Sequence, residues 1–242
     1  MTRPASAETE SIIRENWLRV RNQVAEACIA ASRDPSEVKI IGVAKYVDAA
    51  LTSQLVASGC DTIGENRPQL LWEKHQWFSD QGLTQPRWHM IGHMQRNKLR
   101  RTLPLLSMLE SVDNWRLAEE LSAEAVRAQH SIDFLVDVNL TQDNTKTGMM
   151  SDELLRVCEQ LVELPNLNWR GLMAMSSLEA DSATISREFS AVRELRDQLQ
   201  VRLGNRVDLS ELSMGMSGDY QQAIQQGSTC VRIGTSLWAG VI

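Results

Sequence analysis

Lys45 is the residue whose position most directly suggests chemistry. It closes the apolar run Val38-Lys39-Ile40-Ile41-Gly42-Val43-Ala44, which reads as a buried strand, and the polar Tyr46-Val47-Asp48 and a helical stretch follow. A lysine there has its stem among apolar neighbours and its amine at a strand-to-helix loop. Partial desolvation favours the neutral amine, the form that attacks carbonyls. A Schiff base to an aldehyde is the first chemistry to consider. The alternative is a lysine that snorkels to water.

Two further segments could hold an anion. Ser213-Met214-Gly215-Met216-Ser217-Gly218-Asp219 and Arg232-Ile233-Gly234-Thr235-Ser236 both end apolar runs with small and hydroxyl residues. Small residues expose backbone N–H groups, hydroxyls add donors, and a following helix N-terminus adds partial positive charge. Arg232 lies mid-strand in Cys230-Val231-Arg232-Ile233-Gly234, where an unpartnered guanidinium is costly. It pairs with a structural counter-ion or contacts a ligand. His89 and His93 flank Met90-Ile91-Gly92, and alternation puts them on one side of a strand. No third ligand stands nearby in sequence, so a metal site is not expected. Cys28, Cys60, Cys158 and Cys230 form no CxxC pair and read as small buried hydrophobes.

The elements that must position these residues alternate regularly. An amphipathic helix with Ile13, Trp17, Val20, Val24 and Ala27 on one face comes first, and Asp34-Pro35 stops it. Strand-like runs follow at about 38–44, 60–64, 88–92, 107–112, 132–139, 168–175, 209–214 and 229–234. Helical patterns lie between them at about 49–58, 67–80, 95–103, 114–129, 151–163, 182–203 and 219–226. The clearest stripe is Ile185, Phe189, Val192, Leu195 and Leu199. Strict alternation implies a parallel sheet, and eight units match a small (β/α)8 TIM barrel, with a doubly wound open sheet as competitor. Residues 1–242 are expected to form one α/β barrel domain, with 1–35 as an extra N-terminal helix packed on it. In a barrel, chemistry sits at the C-terminal ends of the strands and phosphate sites follow strands seven and eight. That is where Lys45 and the two small-residue segments fall.

The bulk numbers exclude some classes. With 242 residues, net charge −6 and ordinary composition, the chain offers no global field for nucleic acid or anionic membrane. No apolar stretch reaches the roughly 20 residues of a membrane helix. Residues 1–10 lack the apolar centre of a signal peptide, so a cytoplasmic location is expected. Arg96, Lys98, Arg100 and Arg101 read as a solvated basic face or as a weak phosphate- or partner-binding patch. The pattern Asn139-Leu140-Thr141 fits a glycosylation acceptor but falls at a strand end. The seven tryptophans are scattered and read as packing.

Joint motifs carry a resemblance. Gly42-Val-Ala-Lys45, Ile63-Gly-Glu-Asn66, Trp88-His-Met-Ile-Gly92, Gln95-Arg-Asn-Lys98, Lys146-Thr-Gly148, Arg170-Gly-Leu-Met173, Gly215-Met-Ser217 and Val231-Arg-Ile-Gly-Thr235 occur in this order. From about residue 10 onward the chain resembles the YggS/PROSC family of pyridoxal 5′-phosphate (PLP) binding proteins, also called PLP homeostasis proteins. The resemblance implies the barrel of alanine racemase, fold type III of PLP enzymes. It implies that Lys45 forms the Schiff base, that Ser217, Gly234 and Thr235 hold the phosphate, and that Arg232 faces the pyridine nitrogen. Asn66, Met173, Ser213 and Met216 align with positions lining the pocket. The chain departs from the pattern at Tyr46-Val47, at Gly218-Asp219-Tyr220-Gln221 and at His93, at the pocket rim and in the next helix.

An arginine at the ring nitrogen has a consequence. Enzymes that build carbanions on PLP usually pair that nitrogen with a carboxylate. A guanidinium cannot accept its proton, so the electron sink should be weak. Alanine racemase works with two opposed bases, one from a second, β-rich domain for which this chain has no room. The resemblance therefore implies a monomeric carrier that sequesters PLP and passes it to PLP-requiring apo-enzymes, with no robust catalysis. A low-activity PLP-dependent racemase or decarboxylase is the alternative. A lysine aldolase without PLP leaves the match at Arg232 unexplained.

Overall fold

A computed structural model describes residues 7–139, 147–177 and 179–242. Lys146 of the Lys146-Thr-Gly148 motif lies outside the described residues. Helix α1 (Ala7–Ala30) is followed by β1 (Lys39–Val43), α2 (Ala49–Ala57), β2 (Thr62–Glu65), α3 (Pro68–Asp80) and β3 (Arg87–Met90). Then come α4 (Leu99–Thr102), β4 (Met108–Val112), α5 (Trp115–Arg127), β5 (Ile132–Asn139), β6 (Met149–Met150) and α6 (Ser151–Val162). The chain ends with β7 (Leu167–Ala174), α7 (Ser182–Leu203), β8 (Glu211–Met216), α8 (Tyr220–Gln225) and β9 (Cys230–Ile233).

Eight parallel strands close into a barrel. Their order is β4-β3-β2-β1-β9-β8-β7-β5, and β4 pairs with β5 to complete the ring, with Met108 opposite Asp133. This is the (β/α)8 barrel that strict alternation predicts, and closure rules out the open sheet. The two-residue β6 pairs with the end of β5 and was not predicted, because two residues carry no periodicity. The predicted helix at 95–103 is instead α4 between two 3₁₀ turns, Arg96–Lys98 and Leu103–Leu105. Pro104 lies in the second of these turns, and its ring would collide with the preceding turn of a continuing α-helix.

Side-chain caps start helices directly after strands. Asp48 caps α2 through Leu51 N, Asn114 caps α5 through Leu117 N and Asp181 caps α7 through Thr184 N. Asp48 thereby fixes the turn that begins at Lys45. In α7, Phe189, Val192, Leu195 and Leu199 are buried against the barrel, while Ile185 is half-buried. Helix α1 stops at Ala30, and Ser32 takes a left-handed φ of 57° before the Asp34-capped turn at Pro35–Glu37. It packs through Ile13, Trp17, Val20, Val24 and Cys28, and the Asn16 amide donates to the carbonyls of Leu237 and Ala239. The four cysteines are buried and free. Among the described residues no helix is long and apolar enough to cross a membrane.

Candidate functional site

Register sets Lys45, Arg232, Gly234, Thr235 and Ser217 on or just after three neighbouring strands. β1 pairs with β9, with Ile41 opposite Arg232 and Gly42 opposite Ile233. β9 pairs with β8, with Arg232 opposite Met216. Lys45, Gly234-Thr235 and Ser217 therefore leave the barrel side by side at its C-terminal mouth. Lys45 is half-buried, and its Nζ lies 4.8 Å from the centre of the exposed Tyr46 ring. No carboxylate among the described residues forms an ion pair with it.

Two polar groups clamp the strand end that carries Lys45. The buried Trp238 Nε1–H donates to the Val43 carbonyl at 2.7 Å, and the Lys74 ammonium donates to the Ala44 carbonyl at 2.6 Å. Lys74 also pairs with Glu65, and both side chains are almost wholly buried. Burial pushes the Glu65 carboxyl up and the Lys74 ammonium down, and their mutual attraction offsets part of each shift. Neither residue was anticipated from the sequence. The available signal was a glutamate ending β2 and a lysine on the buried side of α3.

The two small-residue segments, expected to hold an anion, meet at one contact. Ser217 Oγ accepts the Gly234 N–H at 3.3 Å, which joins the loops after β8 and β9. Thr235 is exposed beside them. Gly215 has φ 92°, and a Cβ there would sit 2.6 Å from the Ala223 Cβ. Asp219 braces the loop, since one carboxylate oxygen accepts the Met216 N–H at 2.5 Å and the other accepts the Ser176 hydroxyl at 2.6 Å. Helix α8 has only six residues, so donors here come from the loops more than from a helix terminus.

Arg232 is buried inside the barrel. Its Nη1 donates to the Ser213 carbonyl and hydroxyl at 2.6 and 2.7 Å, and its Nη2 donates to the Ala174 carbonyl at 2.9 Å. It forms no direct ion pair among the described residues. Three bonds leave further N–H groups of the guanidinium, which has five, to donate to a ligand acceptor. Ser213 is wholly buried, and its hydroxyl also donates to Glu110 at 2.6 Å. Glu110 in turn accepts from His89 Nδ1 at 2.6 Å.

The remaining expected residues rim this mouth or lie just below it. Asn66 follows β2 and holds a buried Oδ1 without a hydrogen-bond partner among the described residues. Gly92 packs on its backbone so closely that a Cβ would lie 2.3 Å from the Asn66 carbonyl oxygen. Met173 is buried in the barrel interior with Met108 and Leu135, and Met216 is exposed. His89 and His93 do not share a face as alternation predicts. β3 ends at Met90, so His89 points into the barrel and His93 lies beyond the strand, bonded to Asp113 at 2.7 Å. No cluster able to hold a metal occurs among the described residues.

Asp137 on β5 is a further group that sequence reading missed. Burial pushes its carboxyl up to about 6, with Arg232 opposing, Asp113 adding to the rise and His93 opposing. A cavity of about 660 Å³ opens at the opposite, N-terminal mouth, with His89, Glu110 and Cys230 in its lining. It lies on the far side of the barrel from Lys45.

An aldehyde-bearing anion with a hydrogen-bond acceptor on a ring fits these residues. Lys45 carries an amine, Ser217 and Thr235 carry hydroxyls on adjoining loops, and Arg232 has N–H groups beyond its three bonds. The matching family model is the alanine racemase N-terminal domain, over residues 11–240. A pyridoxal phosphate homeostasis protein of Pseudomonas aeruginosa is 36% identical over 94% of this chain and 95% of its own length. One of Aquifex aeolicus is 34% identical over 93% and 96%. Among solved structures, PipY of Synechococcus elongatus with PLP bound is 33% identical, with a TM-score of 0.79 over 88% of this chain and 99% of its own.

Proposed function

We propose a function for this chain from the family to which it belongs, that of the alanine racemase N-terminal domain and, within it, the pyridoxal phosphate homeostasis proteins: it holds PLP as a Schiff base on Lys45 and serves PLP homeostasis in the cytoplasm without robust catalysis. The observation that carries this reading is the register that sets Lys45, the Ser217–Gly234 contact and Arg232 on adjacent strands. The names of its relatives and the PLP-bound PipY structure support it.

When bound, PLP supplies a reactive aldehyde and an electron-withdrawing pyridine ring. Lys45 provides the amine that attaches it. Ser217, Thr235 and Gly234 would hold the phosphate, the Gly234 N–H turning from Ser217 to do so, and Asn66, Met173, Ser213 and Met216 would complete the pocket. Arg232 would donate an N–H to the ring nitrogen. Because a guanidinium does not give up its proton, Arg232 would keep that nitrogen unprotonated and the ring's electron demand low. Such a protein sequesters an aldehyde and releases it to PLP-requiring apo-enzymes, acting as a monomer.

A second reading, a low-activity PLP-dependent racemase or decarboxylase, is favoured by Asp137 and the His93–Asp113 pair, which could move protons near the same mouth. An absorbance spectrum tests the first reading. The parent protein loaded with PLP should absorb near about 420 nm, and Lys45→Ala should not. Rapid exchange of the α-hydrogen of an added amino acid for solvent deuterium would establish the second reading in its place.

A further inference from the structure

A continuous buried chain of hydrogen bonds runs down the inside of the barrel. Arg232 Nη1 donates to Ser213 Oγ at 2.7 Å, Ser213 Oγ donates to Glu110 Oε2 at 2.6 Å, and Glu110 Oε1 accepts from His89 Nδ1 at 2.6 Å. All four residues are more than nine-tenths buried. They come from β9, β8, β4 and β3, so the chain crosses the barrel rather than following one wall. It links the mouth that carries Lys45 to the cavity at the opposite mouth, which His89 and Glu110 line.

Charge bookkeeping gives the chain its meaning. A buried guanidinium needs a counter-charge, and no carboxylate touches Arg232 directly. Burial pushes the Glu110 carboxyl up, but the His89 hydrogen bond, the charges of His89 and Arg232 and the Ser213 hydroxyl outweigh it and hold the group below its ordinary range. Glu110 is therefore a carboxylate that accepts at both oxygens, from Ser213 Oγ and from His89 Nδ1. The His89 Nε2 is buried without a partner among the described residues. That ring is placed for its bond to Glu110.

We propose that Glu110 is the counter-ion of Arg232, acting through Ser213, and that His89 holds Glu110 in position, so that the pair sets the electrostatics beneath the ring nitrogen of the cofactor. This rests on the reading that Arg232 faces that nitrogen. Both Glu110 and His89 are positioning residues that touch no ligand. The other titratable groups facing the chain are Asp137 from β5, beside Arg232, and Cys230 from β9, beside Glu110. Asp113 and His93 in turn face Asp137.

Two measurements test the proposal. In the PLP-loaded protein, Glu110→Gln removes one negative charge from the barrel, which disfavours a positive Schiff base above it. The pH at which half the visible absorbance is lost should fall by about one unit. His89→Ala should move it the same way and His89→Gln, which keeps a donor, should restore it. In the protein without PLP, Arg232→Met should lower the unfolding midpoint, and the double variant Glu110→Gln with Arg232→Met should recover it, because neither charge is then left alone. If Glu110→Gln does not fold, Ser213→Ala breaks the same link and should move the absorbance midpoint in the same direction. An unmoved midpoint in a folded variant, or strict additivity in the double variant, overturns the proposal. A parent protein that never develops the band sinks the cofactor reading instead, and leaves the double-variant result to judge the counter-ion alone.

Discussion

The Lys74 ammonium donates to the main-chain carbonyl of Ala44 at 2.6 Å, one residue before Lys45. A side chain from α3 thus holds the end of β1 in place, and its attraction to Glu65 offsets part of the cost of burying it. Lys74→Met would leave the Glu65 carboxylate buried without its partner and free the Ala44 carbonyl. Loss of one partner of a buried pair costs about 3–5 kcal/mol. Chemical denaturation should show a loss of that order, and PLP should be retained less well although Lys45 itself is intact. A variant as stable as the parent would show that the pair contributes nothing to the strand end.

Trp238 holds the same strand end from the other side. Its Nε1–H meets the Val43 carbonyl at 2.7 Å in a fully buried setting. Trp238→Phe keeps most of the packing and removes only the donor. An orphaned buried carbonyl costs about 1–3 kcal/mol, which for a chain of this size lowers the thermal midpoint by a few degrees. A scanning calorimeter reads this directly, and an unchanged midpoint would mean that water replaces the indole.

The loop cradle predicts a graded response. Ser217→Ala removes the hydroxyl that joins the two loops, and Thr235→Ala removes an exposed hydroxyl beside it. Each should weaken PLP retention about tenfold, the worth of one charge-assisted hydrogen bond, without abolishing the visible band. Equilibrium dialysis of the apo-proteins gives the comparison. Retention equal to the parent in both variants would place the phosphate elsewhere.

Much of this architecture is legible in the sequence because it rests on local patterns. The eight barrel strands fall within a few residues of their apolar runs, since a strand buried on both faces is a short run bounded by polar turns. Lys45, Ser217 and Thr235 could be placed at strand ends for the same reason. The polar interior was not legible. Arg232 stands out as a charge within an apolar run, whereas Glu110, in Met108-Leu109-Glu110-Ser111-Val112, was passed over. Which charge answers which depends on strands facing each other across the barrel, and no local pattern encodes that. Lys74 was hidden in the same way, because its partner, Glu65, belongs to another element.

Asp137 gives the fold a pH dependence with a definite sign. Its carboxyl is pushed up to about 6 in the folded protein, mainly by burial, against about 3.9 in an unfolded chain. The folded state therefore prefers the protonated acid. Its contribution to stability is fully present below about pH 4 and is lost as pH rises through about 6. Above that, the ionised carboxylate costs up to about 3 kcal/mol, the free energy of a shift of roughly two units. Asp137→Asn mimics the protonated acid at every pH. In the protein without PLP, the variant should be more stable than the parent at pH 7.5, and the two should converge near pH 4. Stability measured by urea unfolding across that range decides the matter. A variant less stable than the parent at pH 7.5 would show that Arg232 depends on the Asp137 charge, and would place the counter-ion on β5 instead of β4.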